Sequence, residues 1–222
     1  MKISKYSTNV ILPVYSRWTL RVSGVVLLAF AFTFSGCLSK PPINTQTFAF
    51  SVPESSGTNE AVNGHVLGIK SLKVTPPFDA RSLIYRTGDF SYQRDPYAEF
   101  LGPPADVLFT PVSDMLRDDG GFSAVVKTGS YSVKADAIAE INVSQLYGDI
   151  RNPGSPSAVL SMEVIFMDAT NGMTGKIIFQ RSYSRQIPVK AATAAAFMAG
   201  WNQALTEIMA NVASDFRSQE NE

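Results

Sequence analysis

Charged and aromatic side chains are concentrated in one stretch, residues 83–104, with the sequence LIYRTGDFSYQRDPYAEFLGPP. Its charged residues are Arg86, Asp89, Arg94, Asp95 and Glu99, and its rings are Tyr85, Phe90, Tyr92, Tyr97 and Phe100. Carboxylates beside guanidinium groups can transfer protons, whereas arginine mixed with aromatic rings is typical of protein interfaces. The stretch could therefore form an active site, a ligand groove or a surface for another protein.

Groups that would join this stretch in catalysis are scarce. His65 is the one histidine in the sequence and lies in a strand-like pattern, and no G-x-S-x-G nucleophile turn is present. One histidine and one cysteine cannot supply the usual ligand sets of a transition metal, and no phosphate-binding glycine loop occurs. We therefore expect a protein that is not an enzyme and has no metal or nucleotide cofactor.

The distribution of charge excludes a further class. The 19 basic and 19 acidic residues balance, but Lys2, Lys5, Arg17 and Arg21 all precede residue 37 and no acid does. The remainder of the chain is therefore weakly acidic and has no basic stripe. Nonspecific binding to nucleic acid needs clustered Lys and Arg, so we expect no nucleic-acid partner.

The N-terminal residues have the pattern of an export signal. A basic segment is followed by thirteen mostly apolar residues, VSGVVLLAFAFTF, and then by Ser35-Gly36-Cys37. Thirteen residues at 1.5 Å each are too short to cross a hydrocarbon layer of roughly 30 Å. We therefore predict a lipoprotein signal peptide over residues 1–36. The alternative is a short membrane anchor in which the cysteine is incidental.

Cys37 follows two small residues, as in a bacterial lipobox, although Phe34 replaces the usual leucine. From this pattern we predict that Cys37 becomes the mature N-terminus and carries a covalent diacylglyceryl group and an N-acyl chain. Several acyl chains would attach the protein stably to a membrane. Leu38 favours sorting to the outer membrane, where the protein would be lipid-anchored on the periplasmic face. Residues 37–45 would be the lipidated N-terminus and its proline-bearing tether.

Alternating and helical patterns indicate a single α+β domain over residues 46–222. Helical spacing is predicted from Pro103-Pro104 to Gly120-Gly121, where Pro111 either kinks one helix or starts a second, and again over 191–216. Short loops between the later strands favour antiparallel hairpins, so we expect a mostly antiparallel sheet with two main helices on one face. The predicted strands are Thr47–Val52, His65–Val74, Ser82–Arg86 and, after a lead-in at 122–127, residues 136–150, 158–169 and 176–189.

Residues 82–116, SLIYRTGDFSYQRDPYAEFLGPPADVLFTPVSDML, resemble the signature region of the ABC-type transport auxiliary lipoproteins, the paraquat-inducible protein C-like partners of MCE-type lipid transport systems. In that family a strand ending in a Tyr-Arg-like pair precedes a turn, an aromatic segment and a helix. Tyr85 and Arg86 match the pair, and Tyr92, Tyr97 and Phe100 match the aromatic segment. These five are the candidate partner-binding residues. Phe34, Pro111 and the long segment before the apolar run depart from the family pattern.

The resemblance implies an outer-membrane lipoprotein that acts as an auxiliary docking component in intermembrane lipid trafficking. Its partner would be an MCE-domain periplasmic protein and, through it, an inner-membrane ABC transporter. The resemblance also allows ring-like self-association into a homo-oligomer, which the residues themselves do not indicate. The sequence leaves three alternatives open: a periplasmic module that carries a phospholipid itself, a structural envelope lipoprotein unrelated to transport, and an envelope hydrolase.

Overall fold

The computed structural model describes residues 44–51, 64–129, 134–170 and 175–220. The predicted signal peptide, Cys37 and most of the tether lie outside the described residues. The described chain forms eight strands and two helices. The strands are β1 (Gln46–Phe48), β2 (Val66–Val74), β3 (Ser82–Arg86), β4 (Tyr92–Phe100), β5 (Ala124–Lys127), β6 (Ala137–Asp149), β7 (Ser157–Asp168) and β8 (Ile177–Pro188). The helices are α1 (Pro104–Gly120) and α2 (Ala194–Glu220).

Strand β6 is the centre of the sheet. Along one side it pairs antiparallel with β7 over its whole length, and β7 pairs antiparallel with β8. Along the other side β2 pairs with the first part of β6, and β3 pairs with its last residues, Gly148 and Asp149. Strands β2 and β3 are thus two successive segments that run in the same direction along one side of β6.

Two further strands extend this second side. Strand β4 returns antiparallel to β3 and β1 lies parallel to β4, while β5 lies parallel to β2. The end of the sheet where β3 and β6 finish is called the turn end below, because the β3–β4 turn (87–91) lies there. The opposite end is where β2 and β6 begin.

The α+β class with one sheet and two helices is confirmed. The pairing expected from loop lengths is correct for β6, β7 and β8, whose hairpins are antiparallel. Among the described strands, however, four pairings are parallel, so the sheet is mixed. The parallel pairings join strands that are distant in the sequence, and local loop length carries no information about such pairings.

Strand β4 was absent from the sequence-based prediction, which treated residues 87–103 as a turn and a lead into the helix. Pro96 lies within β4 and cannot donate to a sheet hydrogen bond, a restriction that confines proline to edges and bulges. The register between β3 and β4 shifts there, from Ser82 opposite Glu99 to Ile84 opposite Arg94. The extra residues on β4 form a bulge that accommodates Pro96.

Both helices pack on one face of the sheet. Helix α2 contributes an apolar stripe of fully buried side chains that includes Phe197, Trp201, Leu205, Ile208 and Val212. These residues recur at spacings of four, four, three and four, and their burial confirms the helical pattern predicted over residues 191–216. The other face of the sheet, called the outer face, carries polar pairs such as Lys70–Glu140 and Gln180–Glu163. The two faces therefore differ in the way expected of a sheet covered on one side.

Helix α1 is continuous through Pro111, so the second of the two predicted alternatives, a separate helix starting there, is wrong. Pro104 occupies the first turn, where a missing N–H costs little. Gly121 ends the helix with φ of 77°, a left-handed conformation that glycine adopts without strain. No helix in the described ranges is both long and apolar enough to span a bilayer.

Strand and helix ends differ from the predictions by a few residues. Strand β1 ends at Phe48 instead of Val52, and β2 begins at Val66 instead of His65. Helix α2 begins at Ala194 instead of residue 191 and extends to Glu220. Strand β3 has the predicted bounds, Ser82–Arg86.

Candidate functional site

Most of the charged and aromatic stretch, residues 83–100, forms the β3–β4 hairpin at the turn end of the sheet. Arg86 pairs with Tyr92 across the hairpin, and the N–H of Thr87 donates to the carbonyl of Ser91 at 2.9 Å. All five candidate residues therefore lie on two neighbouring strands. The hairpin gives them different surroundings, and these surroundings decide which of them can meet a partner.

Tyr85 is a half-buried residue that joins the hairpin to helix α2. Its ring centroid lies 5.2 Å from that of Phe197, and its hydroxyl donates to the Asp95 carboxylate at 2.8 Å. The other oxygen of Asp95 accepts the N–H groups of Tyr97 and Ala98, at 2.8 and 3.1 Å. Burial, followed by the nearby Asp95 carboxylate, raises the pKa of the Tyr85 hydroxyl above its usual value. Tyr85 and Asp95 together hold the β4 bulge in place.

Arg86 organises the turn itself. Its guanidinium donates to the carbonyl of Gly88 at 3.3 Å and to that of Asp89 at 2.8 Å. It also lies 5.9 Å from the centroid of the Tyr92 ring, within the range of a cation–π contact. Tyr92 packs edge-on against Phe78 and Tyr147, so its ring belongs to a small aromatic cluster and remains 42% exposed.

Phe100 and Tyr97 have opposite surroundings although both belong to the aromatic segment. Phe100 is 2% exposed, and its ring packs against Phe50 and Trp201. Tyr97 is 62% exposed at the bulge. The structure therefore places Phe100 in the core and Tyr97 on the surface, where a partner can reach its ring.

Two large apolar side chains beside the hairpin strands were not selected as site residues from the sequence. Phe90, in the β3–β4 turn, is 98% exposed, and Leu101, directly after β4, is 64% exposed. A phenylalanine two places after Gly88, within a turn, is the sequence signal that could have identified Phe90. Leu101 has no comparable local signal, because its exposure depends on where β4 ends.

A polar cleft of about 400 Å³ lies beside the turn. Arg151 crosses it, donating to Asp149 at 2.7 Å and to Asp89 at 3.0 Å. Hydrogen bonds from the Arg151 guanidinium hold the pKa of the Asp149 carboxyl below its usual range. The same residue thus links the end of β6 to the β3–β4 turn. Sequence reasoning missed Arg151, which is distant from the hairpin in the chain.

His65 lies at the opposite end of the sheet, in a cleft of about 280 Å³. Its Nδ1 is 3.7 Å from the carboxylate of Asp136, and that carboxylate also accepts the N–H of Val66 at 2.8 Å. Asp136 therefore orders the start of β2. Within the ranges that the structure describes, no group of His, Cys, Asp and Glu is arranged to hold a metal ion.

Comparison with known proteins adds a family to this geometry. The model of the ABC-type transport auxiliary lipoprotein component family matches residues 47–213. This range includes the β3–β4 hairpin, all of helix α1 and helix α2 as far as residue 213. A search of curated proteins finds no match.

Solved structures show the same fold at low sequence identity. The crystal structure of a protein from Xanthomonas campestris is 16% identical, with a TM-score of 0.66 over 80% of this chain and 100% of that chain. A crystal structure of an uncharacterized protein is 14% identical, with a TM-score of 0.61 over 78% of this chain and 98% of that chain. At such identities these similarities concern the fold alone.

Proposed function

The chain belongs to the family of ABC-type transport auxiliary lipoprotein components, and from this premise we propose that it is a non-enzymatic docking lipoprotein of an MCE-type transport system. In this proposal Cys37 carries the acyl chains and anchors the protein to the periplasmic face of the outer membrane. The folded domain meets an MCE-domain periplasmic protein, and an inner-membrane ABC transporter supplies the energy for moving lipid between the membranes.

One observation supports a docking role most directly: the hairpin presents an exposed ring, Tyr97, on a bulge that is fixed internally. The Asp95 carboxylate holds the bulge through two backbone N–H groups and the Tyr85 hydroxyl. A backbone segment that is fixed before binding loses little conformational entropy on binding, and tyrosine is enriched among residues that dominate interface energies. Tyr97 is 62% exposed, so its ring is accessible to a partner, and Leu101, directly after β4, adds a second exposed apolar side chain at 64%.

The five candidate residues divide into two roles in this proposal. Tyr92 and Tyr97 contact the partner directly, and Arg86 contributes at the edge of the surface. Tyr85 and Phe100 position that surface, because their rings pack against Phe197 and Trp201 of helix α2. Substitution of the two groups should therefore produce different defects, namely lost binding for the first and lost stability for the second.

The proposal is tested by purifying the acylated protein from membranes that also contain the MCE-domain protein. We expect the two to co-purify, and we expect Tyr97→Ala to weaken the association. Ile177→Ala is the matched control, since Ile177 is a 52% exposed apolar residue at the opposite end of the sheet. Failure of the wild-type protein to associate in intact membranes would refute the docking function.

The alternative of a lipid-carrying module predicts a bound phospholipid between the sheet and the helices. In the described part of the chain this space is filled by core side chains, including Phe100, Phe166 and Trp201, each at most 2% exposed. Native mass spectrometry of a Cys37→Ser protein distinguishes the two functions. A docking component should have the mass of the polypeptide alone, or of a ring of copies, whereas a carrier should retain phospholipid.

A further inference from the structure

We propose that Phe90 inserts into the lipid–water interface of the membrane, so that the domain is attached by the β3–β4 turn as well as by its acylated N-terminus. The inference rests on the lipid anchor of the proposed function, and it adds a second contact that fixes the orientation of the domain. The surface it concerns is the turn, residues 87–91, and not the bulge around Tyr97.

The first observation is the exposure of Phe90. Its side chain is 98% exposed, while the neighbouring turn residues Asp89 and Ser91 are also exposed. A ring at the tip of a turn does not contribute to the core. In the free protein its apolar surface is exposed to water, which is unfavourable in free energy. Aromatic rings are favoured at the level of lipid headgroups, where a single projecting residue can reach apolar material.

The second observation is that several backbone groups of the turn, although not all of them, are hydrogen-bonded within the protein. Arg86 donates to the carbonyls of Gly88 and Asp89, and the N–H of Thr87 donates to the carbonyl of Ser91. Backbone groups that enter a region poor in water must find partners inside the protein. A turn with this internal hydrogen bonding can approach the acyl chains at a lower desolvation cost than a turn bonded to water.

The third observation is the direction from which the chain enters the domain. Strand β1 is parallel to β4, with Gln46 opposite Ala98, so β1 runs away from the turn end and its first residue is the one nearest that end. Ala98 lies six positions after Tyr92 in the strand, a distance of at most about 20 Å. The nine-residue segment from Cys37 to Gln46 extends at most about 30 Å. Acyl chains on Cys37 and the ring of Phe90 can therefore reach the same bilayer.

Charge at the turn end agrees with a phospholipid surface. The basic residues there are Arg86, Arg94, Arg151 and Lys190, and the carboxylates are those of Asp89, Asp95 and Asp149, with exposed Asp79 following Phe78 beside Tyr92. Arg151 already bridges two of these carboxylates, and Asp95 accepts three hydrogen bonds. Exposed Arg94 and Lys190 remain to meet anionic headgroups, which attract basic residues near the membrane surface. The occupant that these features favour is a bilayer containing an anionic phospholipid.

The test places a tryptophan at the tip of the turn and measures its contact with lipid. The acylated protein, with Phe90→Trp, is reconstituted into vesicles of phosphatidylethanolamine and phosphatidylglycerol whose acyl chains carry bromine near the headgroup. Trp201 is fully buried, and the quenching of its emission in the parental protein gives the baseline. Ile177→Trp is the matched control, because Ile177 lies about 35 Å away along the sheet.

We expect the emission of Phe90→Trp to shift to shorter wavelength on vesicles and to be quenched by brominated lipid. For Ile177→Trp we expect no quenching beyond that of the parental protein. In the unacylated mature chain, residues 37–222 with Cys37→Ser, we expect vesicle co-sedimentation to fall about tenfold with Phe90→Ser, a loss corresponding to removal of one buried ring. An unquenched tryptophan at residue 90, or equal quenching at residues 90 and 177, would overturn the inference.

The same samples separate this inference from the proposed function. Mass spectrometry of the N-terminal peptide reports whether Cys37 is acylated, and co-purification with the MCE-domain protein reports docking. If docking and acylation are found but residue 90 is not quenched, only the membrane contact of Phe90 is refuted. If residue 90 is quenched but docking fails, the membrane contact stands and the proposed function does not.

Discussion

The hydroxyl of Tyr85 donates a 2.8 Å hydrogen bond to the carboxylate of Asp95, and this bond connects the end of strand β3 to the bulge in β4. The same tyrosine ring packs against Phe197 of helix α2. One side chain therefore connects the core to the segment that exposes Tyr97. The arrangement explains how a proline-containing strand can hold an exposed aromatic residue in one position.

Loss of this bond should loosen the hairpin without unfolding the domain. Tyr85→Phe keeps the ring contact with Phe197 and removes one side-chain hydrogen bond, so we expect the free energy of unfolding to fall by about 1 kcal/mol. Urea denaturation followed by circular dichroism measures the change. Tyr97→Phe is the matched control and should leave the free energy of unfolding unchanged, because the Tyr97 ring is exposed.

The raised pKa of the Tyr85 hydroxyl predicts a loss of stability in alkaline solution. A folded-state pKa above the unfolded value of about 10 means that the contribution of Tyr85 is complete below pH 10 and is lost as pH rises above it. Burial and Asp215 raise the pKa of the Tyr183 hydroxyl in the same direction. We expect the alkaline decrease in unfolding free energy to be shallower in Tyr85→Phe and shallowest in the double variant with Tyr183→Phe.

The two aromatic residues at opposite extremes of burial should respond differently to truncation. Phe100→Ala leaves a cavity beside Phe50 and Trp201 and should lower the free energy of unfolding by about 3–5 kcal/mol. Tyr97→Ala should change it by less than about 0.5 kcal/mol while weakening association with the MCE-domain protein. Equal losses of stability in the two variants would contradict the division between positioning and contact residues.

The pairing of Arg151 with Asp149 predicts that the protein becomes less stable at acidic pH. The Arg151 guanidinium lowers the folded-state pKa of Asp149. The Asp149–Arg151 pair therefore contributes to the free energy of unfolding above the unfolded-state pKa of about 4, and this contribution is lost as the pH falls below that value. Arg151→Ala should reduce the urea midpoint at pH 7 and make the decrease between about pH 5 and 3 shallower. Asp89→Ala, which removes only the exposed end of the bridge, should leave the acid dependence intact.

Close packing between helix α2 and the sheet predicts a strong effect at one glycine. A Cβ at Gly200 would lie 2.6 Å from Cβ of Ala158 and 2.9 Å from Cγ1 of Val189. Gly200→Ala should therefore destabilise the domain by about 1–3 kcal/mol, although alanine is the better helix former. Gly154→Ala is the control, since the nearest atom to its Cβ is 3.5 Å away; a stabilised Gly200→Ala would contradict this packing.

Elements with strong local patterns could be predicted from the sequence. The buried stripe of α2 follows helical periodicity, and the bounds of β3 coincide with the prediction because Thr87 and Gly88 start the turn. Strand β4 could not be predicted, because Pro96 is accommodated only by a bulge opposite β3. The four parallel pairings depend on contacts between segments distant in the chain, which alternation of side chains does not specify.

The candidate site shows the same division between local and non-local information. Composition and family resemblance indicated the aromatic segment, but the segment contains both a core ring, Phe100, and an exposed ring, Tyr97. Which ring is buried depends on Trp201 of helix α2, about a hundred residues further along the chain. The link between Arg151 and Asp89 depends in the same way on the pairing of β3 with β6.

Site-specific photocrosslinking from residue 97 shows whether the β3–β4 hairpin touches the MCE-domain protein in the envelope. A photoreactive phenylalanine replaces Tyr97 in the acylated protein, in cells that also produce the MCE-domain protein, and residue 177 carries the same group as the control. If the hairpin is a docking surface, residue 97 should crosslink to the MCE-domain protein and residue 177 should not. The absence of a crosslink from residue 97, with both proteins present in the envelope, would show that the hairpin is not the docking surface.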